Sequence, residues 1–174
     1  INSIKILNNC QHIKFTFQNK EYQFKTSLIG KIQIKNLMMA IAAAIKSNIK
    51  IDDIVKKLKY IKPTKGRIEI IGTTKNNSIF ILDYAHTPEA LKTSIENIKE
   101  QFGFRKINIV FGCGGERDKE QRPIMGKIAD RLCNYIYLTD DNPRNENPEN
   151  IRASIKKSIK PSKMIEIPLS LIHI

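Results

Sequence analysis

From Ile79 onward, short apolar segments alternate with amphipathic ones, and this order constrains the fold more than any other feature of the sequence. Apolar residues that recur every three to four positions indicate helices, and short apolar runs between them indicate buried strands. Buried strands that alternate with helices are typical of a mostly parallel sheet covered on both faces. The sequence therefore predicts an α/β fold. The expected elements are strands at 79–83, 107–111, 135–138 and 164–167, and helices from 88 onward, at 123–132 and at 148–159.

The residues before Ile79 follow a different pattern, with a domain boundary near residue 65. Pro63 and Gly66 interrupt the chain there, and both residue types break regular structure. We therefore predict two domains, 1–65 and 66–174. The expected elements up to Tyr84 are a hairpin formed by 13–17 and 22–25, a helix at about 36–46, a helix capped by Asp52 that runs to Tyr60, and strands at 67–71 and 78–84 that are joined through Asn76-Asn77.

The chain is strongly basic, with a net charge of +13 in 174 residues. Such a charge can neutralise phosphates, so a basic module that binds nucleic acid or a membrane surface is one hypothesis. The excess consists of lysine spread along the chain, without a basic stripe interleaved with aromatic residues and without tryptophan. We therefore expect neither nucleic acid nor a membrane as a partner.

The cysteines and the apolar runs also narrow the class of protein. Cys10, Cys113 and Cys133 are far apart and have no histidine at metal-ligand spacing. This argues against a zinc site and a disulfide framework, and it favours a reducing cytosol. The longest apolar run, residues 37–45, is nine residues long, well short of the roughly 20 residues that cross a bilayer. We expect a cytoplasmic protein without metal ligands of its own in this chain.

Polar clusters follow three successive predicted strands. Because the carboxyl ends of parallel strands meet at one edge of a sheet, we expect all three clusters to face one crevice, where open α/β sheets bind ligands. The clusters are Asp83-Tyr84-Ala85-His86-Thr87-Pro88, Gly112-Cys113-Gly114-Gly115-Glu116-Arg117-Asp118 and Thr139-Asp140-Asp141-Asn142-Pro143-Arg144.

The first cluster lies between a strand and a predicted helix start, a favourable place for an anion or a nucleotide. Asp83 could accept hydrogen bonds from a ribose, and His86 could reach a phosphate or a base. The alternative is that Asp83 is a structural cap and His86 a surface imidazole. The residues alone leave both interpretations open.

The second cluster is a glycine-rich loop. Glycine lets the backbone turn tightly and approach a ligand closely, and Arg117 and Asp118 would lie at the rim of the crevice. The loop is not a GxGxxG fingerprint, but Asp140 lies near the distance expected of a ribose-binding acid. A dinucleotide-binding, dehydrogenase-like domain is therefore a second hypothesis.

The third cluster combines carboxylates, an amide and a guanidinium within six residues, which suits the zwitterionic end of an amino acid. Asp141 and Asn142 can accept hydrogen bonds from an ammonium, and Arg144 offers a planar fork to a carboxylate. Asp-Asn-Pro is also ordinary turn chemistry, so a solvated turn is the alternative.

Five segments, in this order and spacing, resemble the Mur ligases: LIGKIQIKNLMMAIAAA, KGRIEII, LDYAHTPEALK, VFGCGGERDKEQRPIMGKIAD and TDDNPRNENPENI. The resemblance runs from about Leu28 to Ile159, and it is strongest to the members that add meso-diaminopimelate. GCGGERD followed by DDNPR is its most specific part. Lysine is a point charge and cannot replace the planar fork of arginine. Four of the seven arginines of this lysine-rich chain lie in these segments: Arg67, Arg117, Arg122 and Arg144.

The resemblance implies an enzyme of three domains: one for a UDP-sugar, a central ATPase domain and a Rossmann-like C-terminal domain. Residues 1–65 would be the tail of the central domain and 66–174 an incomplete C-terminal domain. The implied reaction adds meso-diaminopimelate to UDP-N-acetylmuramoyl-L-alanyl-D-glutamate in peptidoglycan synthesis, through an acyl phosphate, with ATP and Mg²⁺ as cofactors. The whole enzyme is expected to be a monomer.

The resemblance also implies two groups of binding residues. The phosphate-binding loop of the family is not among the 174 residues, so we expect no catalytic residue in this chain and no activity from it alone. Residues 168–174 do not resemble the family's continuation. The implied ATP contacts are Asn36, Arg67, Asp83 and His86. The implied diaminopimelate contacts are Arg117, Asp141, Asn142, Pro143 and Arg144.

Overall fold

A computed structural model describes residues 1–7, 10–103 and 105–170, which form two compact units. Unit 1 comprises Ile1–Tyr84 and Asn97–Gly103, and unit 2 comprises Ala85–Glu96 and Phe104–Ile174. The elements are β1 Ser3–Leu7, β2 Cys10–Phe17, β3 Lys20–Thr26, α1 Lys31–Lys46, α2 Ile51–Leu58, β4 Glu69–Thr73, β5 Ile79–Leu82, α3 Pro88–Phe102, β6 Asn108–Phe111, α4 Gln121–Leu132, β7 Tyr135–Asp140, α5 Pro148–Lys156, a 3₁₀ helix Pro161–Lys163 and β8 Met164–Ser170. Residues 66–84 lie in unit 1, and the domain boundary between residues 65 and 66 stays a prediction.

Unit 1 contains an antiparallel sheet in the order β1-β2-β3. The predicted hairpin of β2 and β3 is confirmed, with Phe17 paired to Lys20. Its turn consists of Gln18 and Asn19, which both have positive φ, as the tight turns that match strand twist require. Strand β1 was not predicted. Its five residues, Ser-Ile-Lys-Ile-Leu, contain only three apolar side chains, too few to stand out from the surrounding sequence.

The core of unit 1 forms between this sheet and the two helices. Ile13 and Phe15 alternate along β2 with exposed Lys14, so one face of the sheet is apolar. Helix α1 presents Ile34, Leu37 and Ile41 to the same cluster, and their spacing places them on one helix face. Burial of these side chains stabilises the unit by the hydrophobic effect.

Helix α1 begins at Lys31, earlier than the predicted start near Asn36. Gly30 has φ of +83°, which lets the chain turn into the helix at that point. The side chain of Asn97 then accepts the Lys31 N–H at 2.9 Å, and this satisfies one of the helix's unpaired amides. A residue so distant in sequence could not be recognised as the cap.

Helix α2 does not use Asp52 as its N-cap, contrary to the prediction. The cap position is Lys50, and Asp52 lies in the first turn of the helix. There its carboxylate pairs with Lys20 of β3 at 2.9 Å. An acid in the first turn also interacts favourably with the helix dipole, so the residue type fits the helix start without forming the cap.

The parallel sheet of unit 2 has the strand order β6-β7-β8. The predicted alternation of strands and helices after Ile79 is confirmed, but β5 does not join this sheet. Strand β5 instead pairs antiparallel with β4, in a separate two-stranded sheet that belongs to unit 1. Strand order depends on long-range pairing, which the local apolar pattern does not encode.

One face of the parallel sheet carries the core of unit 2. Ile136 and Leu138 of β7 are fully buried, and they share a cluster with residues from α3, α4 and α5. On the opposite face Val110 is 57% exposed and Ile165 45% exposed. The prediction that helices cover both faces was therefore wrong for the described residues, where the helices share the cluster on one face.

Helices α4 and α5 approach each other at Gly126. A methyl group added there would fall within 3.0 Å of the backbone oxygen of Ile155, and backbone cannot move aside as a side chain can. We expect Gly126→Ala to destabilise the chain by about 1–3 kcal/mol, since overpacking outweighs the better helix propensity of alanine. Urea denaturation followed by circular dichroism measures the effect. The exposed neighbour Lys127, changed to alanine, is the control, and equal stability of both variants would contradict this packing.

Candidate functional site

The loops that follow β6 and β7 lie side by side at the carboxyl edge of the parallel sheet. Their strands are neighbours in register, with Phe111 opposite Leu138. The Gly115 N–H donates to the carbonyl oxygen of Asn142 at 2.8 Å, which joins the two loops directly. The second and third polar clusters therefore meet as predicted. The first cluster follows β5, which pairs with β4 in a separate sheet, so its predicted place at this edge is not confirmed.

The glycines of the first of these loops make room for the second. A Cβ on Gly112 would fall within 3.0 Å of the backbone oxygen of Thr139, and one on Gly115 within 3.0 Å of that of Pro143. The loop is therefore glycine-rich because another backbone packs against it. Helix α4 begins only at Gln121, so the loop does not deliver a ligand directly to a helix N-terminus as a dinucleotide fingerprint does.

Arg117 and Arg144 extend over the same glycine. A Cβ on Gly114 would lie 3.4 Å from Nη1 of Arg144 and 3.8 Å from Cγ of Arg117, with the Asn142 carbonyl oxygen at 3.7 Å. Both arginines are exposed, and Nη1 of Arg144 donates to the carbonyl oxygen of Gly115. The Arg144 guanidinium and the stem of the Arg117 side chain, from different loops, thus lie at the same glycine, and guanidinium groups suit a carboxylate.

The Asp141–Arg144 segment is held in a strained turn by its own side chains. The Asn142 side-chain oxygen accepts the Arg144 N–H at 3.1 Å, and the Asp141 carboxylate accepts the Asn142 N–H at 2.7 Å. Arg144 has φ of +50°, a conformation that costs energy for a residue with a side chain. The turn interpretation and the binding interpretation are therefore compatible, because the turn aims Arg144 at the facing loop.

An ion pair that sequence reasoning missed connects the same two loops. The Arg122 side chain of α4 is 2% exposed, and it donates through Nη1 and Nη2 to the two carboxylate oxygens of Glu146, at 3.0 and 2.8 Å. Hydrogen bonds from Arg122 and from the Glu116 N–H lower the pKa of Glu146 to about 2, so its carboxylate stays ionised near neutral pH. Arg122 stood out in the sequence only as one arginine among lysines.

A second buried arginine fixes the end of β7. Arg152 of α5 is 5% exposed and donates to the carboxylate of Asp140 and, at 2.8 Å, to that of Glu166. Asp140 is the residue that suggested a ribose-binding acid in a dehydrogenase-like domain. Its carboxylate instead contacts a buried cation of its own chain, so this basis for the dehydrogenase hypothesis is lost. No local signal predicts a contact between these three elements.

Arg67 and Asp83 lie together in unit 1. The Arg67 guanidinium stacks on the exposed ring of Tyr84, with Cζ 5.1 Å from the ring centroid. Asp83 accepts the N–H of Ile68 at 3.1 Å. Ile68 has φ of +47°, which is a true outlier for a β-branched residue. Backbone strain of this kind clusters at binding sites, although Asp83 also has the structural role that was its alternative.

Asn36 and His86 have less defined surroundings. Asn36 is exposed on α1, one turn after Gln33, whose side-chain amide donates to the carbonyl oxygen of Arg67 at 3.0 Å. Residues three apart share a helix face, so Asn36 lies on the face of α1 that meets Arg67. His86 is exposed and belongs to unit 2. Gln33 is a contact that sequence reasoning did not identify.

The described residues contain neither a membrane-spanning helix nor a cluster of metal ligands. Across residues 1–7, 10–103 and 105–170, no helix is both long and apolar enough to cross a membrane. The same residues include no group of three or more histidine, cysteine or acidic side chains placed to hold a metal ion. The arginines of the described residues offer binding groups: arginine forks for carboxylates in one unit, and an arginine stacked on an aromatic ring in the other.

Comparisons with known proteins identify relatives over most of the chain. The Rickettsia montanensis protein named UDP-N-acetylmuramoyl-L-alanyl-D-glutamate--2,6-diaminopimelate ligase is 43% identical over 158 residues, 90% of this chain and 32% of that protein. A Buchnera aphidicola protein of the same name is 40% identical over 159 residues. The chain thus spans about a third of the length of the curated relatives it matches.

Solved structures agree with these relatives. A structure named for the same diaminopimelate ligase is 30% identical, with a TM-score of 0.62 over 95% of this chain and 34% of that one. Folylpolyglutamate synthase from Mycobacterium tuberculosis has a TM-score of 0.75 over 99% of this chain and 38% of that one, and at 16% identity it shows the fold alone. Residues 66–171 match the model of the "Mur ligase, glutamate ligase domain". The chain therefore belongs to the Mur ligase family and carries this domain.

Proposed function

We propose that this chain is part of an ATP-dependent ligase that adds meso-diaminopimelate to UDP-N-acetylmuramoyl-L-alanyl-D-glutamate in peptidoglycan synthesis. The observation that carries the proposal is the convergence of Arg117 and Arg144 over Gly114. The names of relatives that are 40–43% identical support the same reaction. The chain would supply the binding site for the incoming amino acid.

Two arginines suit diaminopimelate better than an amino acid with one carboxylate. Diaminopimelate carries a carboxylate and an ammonium at each end, whereas lysine lacks the distal carboxylate. Arg117 and Arg144 can form charge-assisted hydrogen bonds with a carboxylate, and these are about twice as strong as neutral ones. Asp141 and Asn142 add oxygens near the arginines, and Pro143 stiffens the loop between them. We assign these five residues to diaminopimelate.

Orientation is the contribution of this site to the reaction. The nucleophile is the amine of diaminopimelate, and it must reach an activated carboxylate of the UDP-sugar dipeptide. Holding an amine at attack distance can supply a large part of a rate enhancement, because a bimolecular step becomes effectively unimolecular. Arginines at the sheet edge would hold the carboxylate of one end of diaminopimelate, so the amine at its other end would project in a defined direction. No proton-transfer group is assigned in this chain.

The residues of unit 1 fit a nucleotide. Arg67 stacked on Tyr84 presents a cation beside an exposed aromatic ring, and Asn36 lies on the face of α1 that meets Arg67. We assign Asn36, Arg67 and Asp83 to ATP, whereas the assignment of His86, which belongs to unit 2, stays a prediction. When bound, ATP supplies the phosphoryl group that activates the carboxylate. Mg²⁺ would neutralise its phosphates, and we assign no ligand of this ion in the chain.

The rival hypotheses have less support. The glycine-rich loop packs against the β7 loop, so it does not offer the turn that usually binds a dinucleotide. Asp140 contacts Arg152, so its carboxylate does not serve as the ribose-binding acid. The basic charge is dispersed lysine, which gives a nucleic acid no defined surface. We propose a cytoplasmic, monomeric enzyme, in line with the reduced cysteines.

A phosphate-release assay on the full-length protein tests the proposal. The protein is supplied with ATP, Mg²⁺ and the UDP-sugar dipeptide, and each amino acid is added in turn. We expect phosphate release that depends on both the dipeptide and diaminopimelate, and none from the 174-residue chain alone. Absence of release with diaminopimelate would refute the assignment. Salt-sensitive RNA binding instead would favour the basic module.

A further inference from the structure

We infer that Arg122 and Glu146 form a loop clamp, an ion pair that positions the two loops of the amino-acid site. The inference rests on the proposed function, because the clamp acts on the residues assigned to diaminopimelate. Arg122 lies on α4, after the first loop, and Glu146 lies after the second. Neither is expected to touch substrate, so both would be positioning residues.

Glu146 accepts hydrogen bonds both from α4 and from the first loop. Its two oxygens accept the Arg122 fork at 2.8 and 3.0 Å, and Oε1 also accepts the Glu116 N–H at 2.6 Å. A carboxylate with three donors, two of them charged, has few alternative positions. The second loop is therefore fixed to the first loop and to α4 at the same point.

The clamp acts directly on the glycine over which the two binding arginines lie. Nη2 of Arg122 also donates to the carbonyl oxygen of Gly114 at 3.4 Å. On the facing loop, Asn145 donates through Nδ2 to the Glu116 carboxylate at 2.6 Å. A shift of Glu146 would therefore move the Gly114 backbone and, with it, the surface that Arg144 approaches.

Backbone strain on both loops requires such a restraint. Glu116 has φ of +53° and Arg144 φ of +50°, and neither is glycine. A residue in this region returns to a relaxed conformation unless its surroundings over-determine it. The clamp supplies restraint to Glu116 through its N–H, while Asn142 restrains Arg144. Loss of the clamp would let both loops relax away from the geometry that brings Arg117 and Arg144 together.

The clamp is not optimised for stability alone. Nε of Arg122 is buried and has no hydrogen-bond partner among the described residues, and an unsatisfied buried donor costs free energy. Buried ion pairs can often be replaced by apolar side chains without loss of stability. The Arg122–Glu146 pair has an unsatisfied donor and lies between two binding loops. Its role in holding these loops in position explains it better than a contribution to stability does.

Glu146→Gln in the full-length enzyme tests the clamp, because glutamine keeps the shape and loses the charge. We expect the KM for diaminopimelate to rise about tenfold or more, while kcat and the KM for ATP stay within about twofold. Arg122→Lys, which keeps the charge but not the fork, should give an intermediate rise. Hydrogen exchange of the 112–118 peptide should accelerate in both variants, whereas the β7 peptide should not change.

Lys119→Ala is the matched control. Lys119 also reaches Glu146, at 3.7 Å, but it is 73% exposed, and exposed ion pairs contribute little. Its KM values should equal those of the wild type. If Glu146→Gln leaves the KM for diaminopimelate unchanged, or raises the KM values of all substrates together with a loss of kcat, the positioning role is refuted. Wild-type enzyme that does not use diaminopimelate refutes the proposed function instead.

Discussion

Arg144→Ala in the full-length enzyme is expected to reduce the use of diaminopimelate far more than the use of ATP. The variant removes a guanidinium that converges with Arg117 over Gly114, so a substrate carboxylate loses a charged hydrogen-bond partner in the transition state. We expect kcat/KM for diaminopimelate to fall about 30- to 1,000-fold. This corresponds to a loss of roughly 2–4 kcal/mol of transition-state stabilisation. Steady-state kinetics with each substrate varied in turn measure the effect, and the KM for ATP should barely change.

The preference of the enzyme for diaminopimelate over lysine is a second measurement that tests the same prediction. Lysine cannot pair with the arginines through a distal carboxylate, and sites that recognise a charged group can reject an analogue lacking it by about 10⁴–10⁵. Arg144→Ala should therefore narrow the preference for diaminopimelate. Arg131→Ala, an exposed arginine in the last turn of α4, is the matched control. A variant that keeps the full preference would make Arg144 only a turn residue.

Arg152→Met is expected to cause the largest loss of stability. Arg152 is buried and pairs with Asp140 and Glu166, whose side chains are only 13% and 29% exposed. Methionine fills a similar space but leaves Asp140 without its cation and Glu166 with only the exposed Lys156 as a partner. Removing one partner of a buried ion pair lowers the free energy of unfolding by roughly 3–5 kcal/mol. Because Glu166 is partly exposed, we expect a loss at the lower end of that range. Urea denaturation of the 174-residue chain, followed by circular dichroism, measures it.

The pH dependence and a matched variant test the same network. Hydrogen bonds from Lys156 and Arg152 lower the pKa of Glu166 below its ordinary value of 4.5. Its stabilisation is therefore present above about pH 4.5 and is lost as the pH falls through the folded-state value. The difference between wild type and Arg152→Met should shrink in that acid range. Lys156→Ala removes a 53% exposed partner of Glu166 and should cost under about 1 kcal/mol. Equal losses in both variants would contradict the network.

Local sequence patterns predicted the elements of the fold well, because periodicity reports which residues can be buried. The hairpin around Gln18 and Asn19 and the alternation of strands and helices after Ile79 follow from such patterns. The separation of β5 from the parallel sheet, and the start of α1 at Lys31, depend on contacts between residues distant in sequence. Apolar patterns do not specify such contacts, so these predictions failed.

The residues of the candidate site also fall into two groups: those that the sequence predicted and those that depend on contacts in the folded chain. Arg117 and Arg144 could be found from the sequence because they follow adjacent strands, and parallel strands bring their ends together. Glu146 and Arg152 could not be found, because each acts through a contact made only in the folded chain. The loop glycines were recognised as important for a ligand, yet the structure explains two of them, Gly112 and Gly115, by the backbone packed against them. Residue chemistry indicates binding groups more readily than the groups that position them.

A competition experiment tests the central claim most directly. Full-length enzyme is given ATP, Mg²⁺, the UDP-sugar dipeptide and equal concentrations of meso-diaminopimelate and lysine, and the products are identified by mass spectrometry. If Arg117 and Arg144 select a second carboxylate, the diaminopimelate product should exceed the lysine product by orders of magnitude. Comparable amounts of both products, or a predominance of the lysine product, would contradict the account.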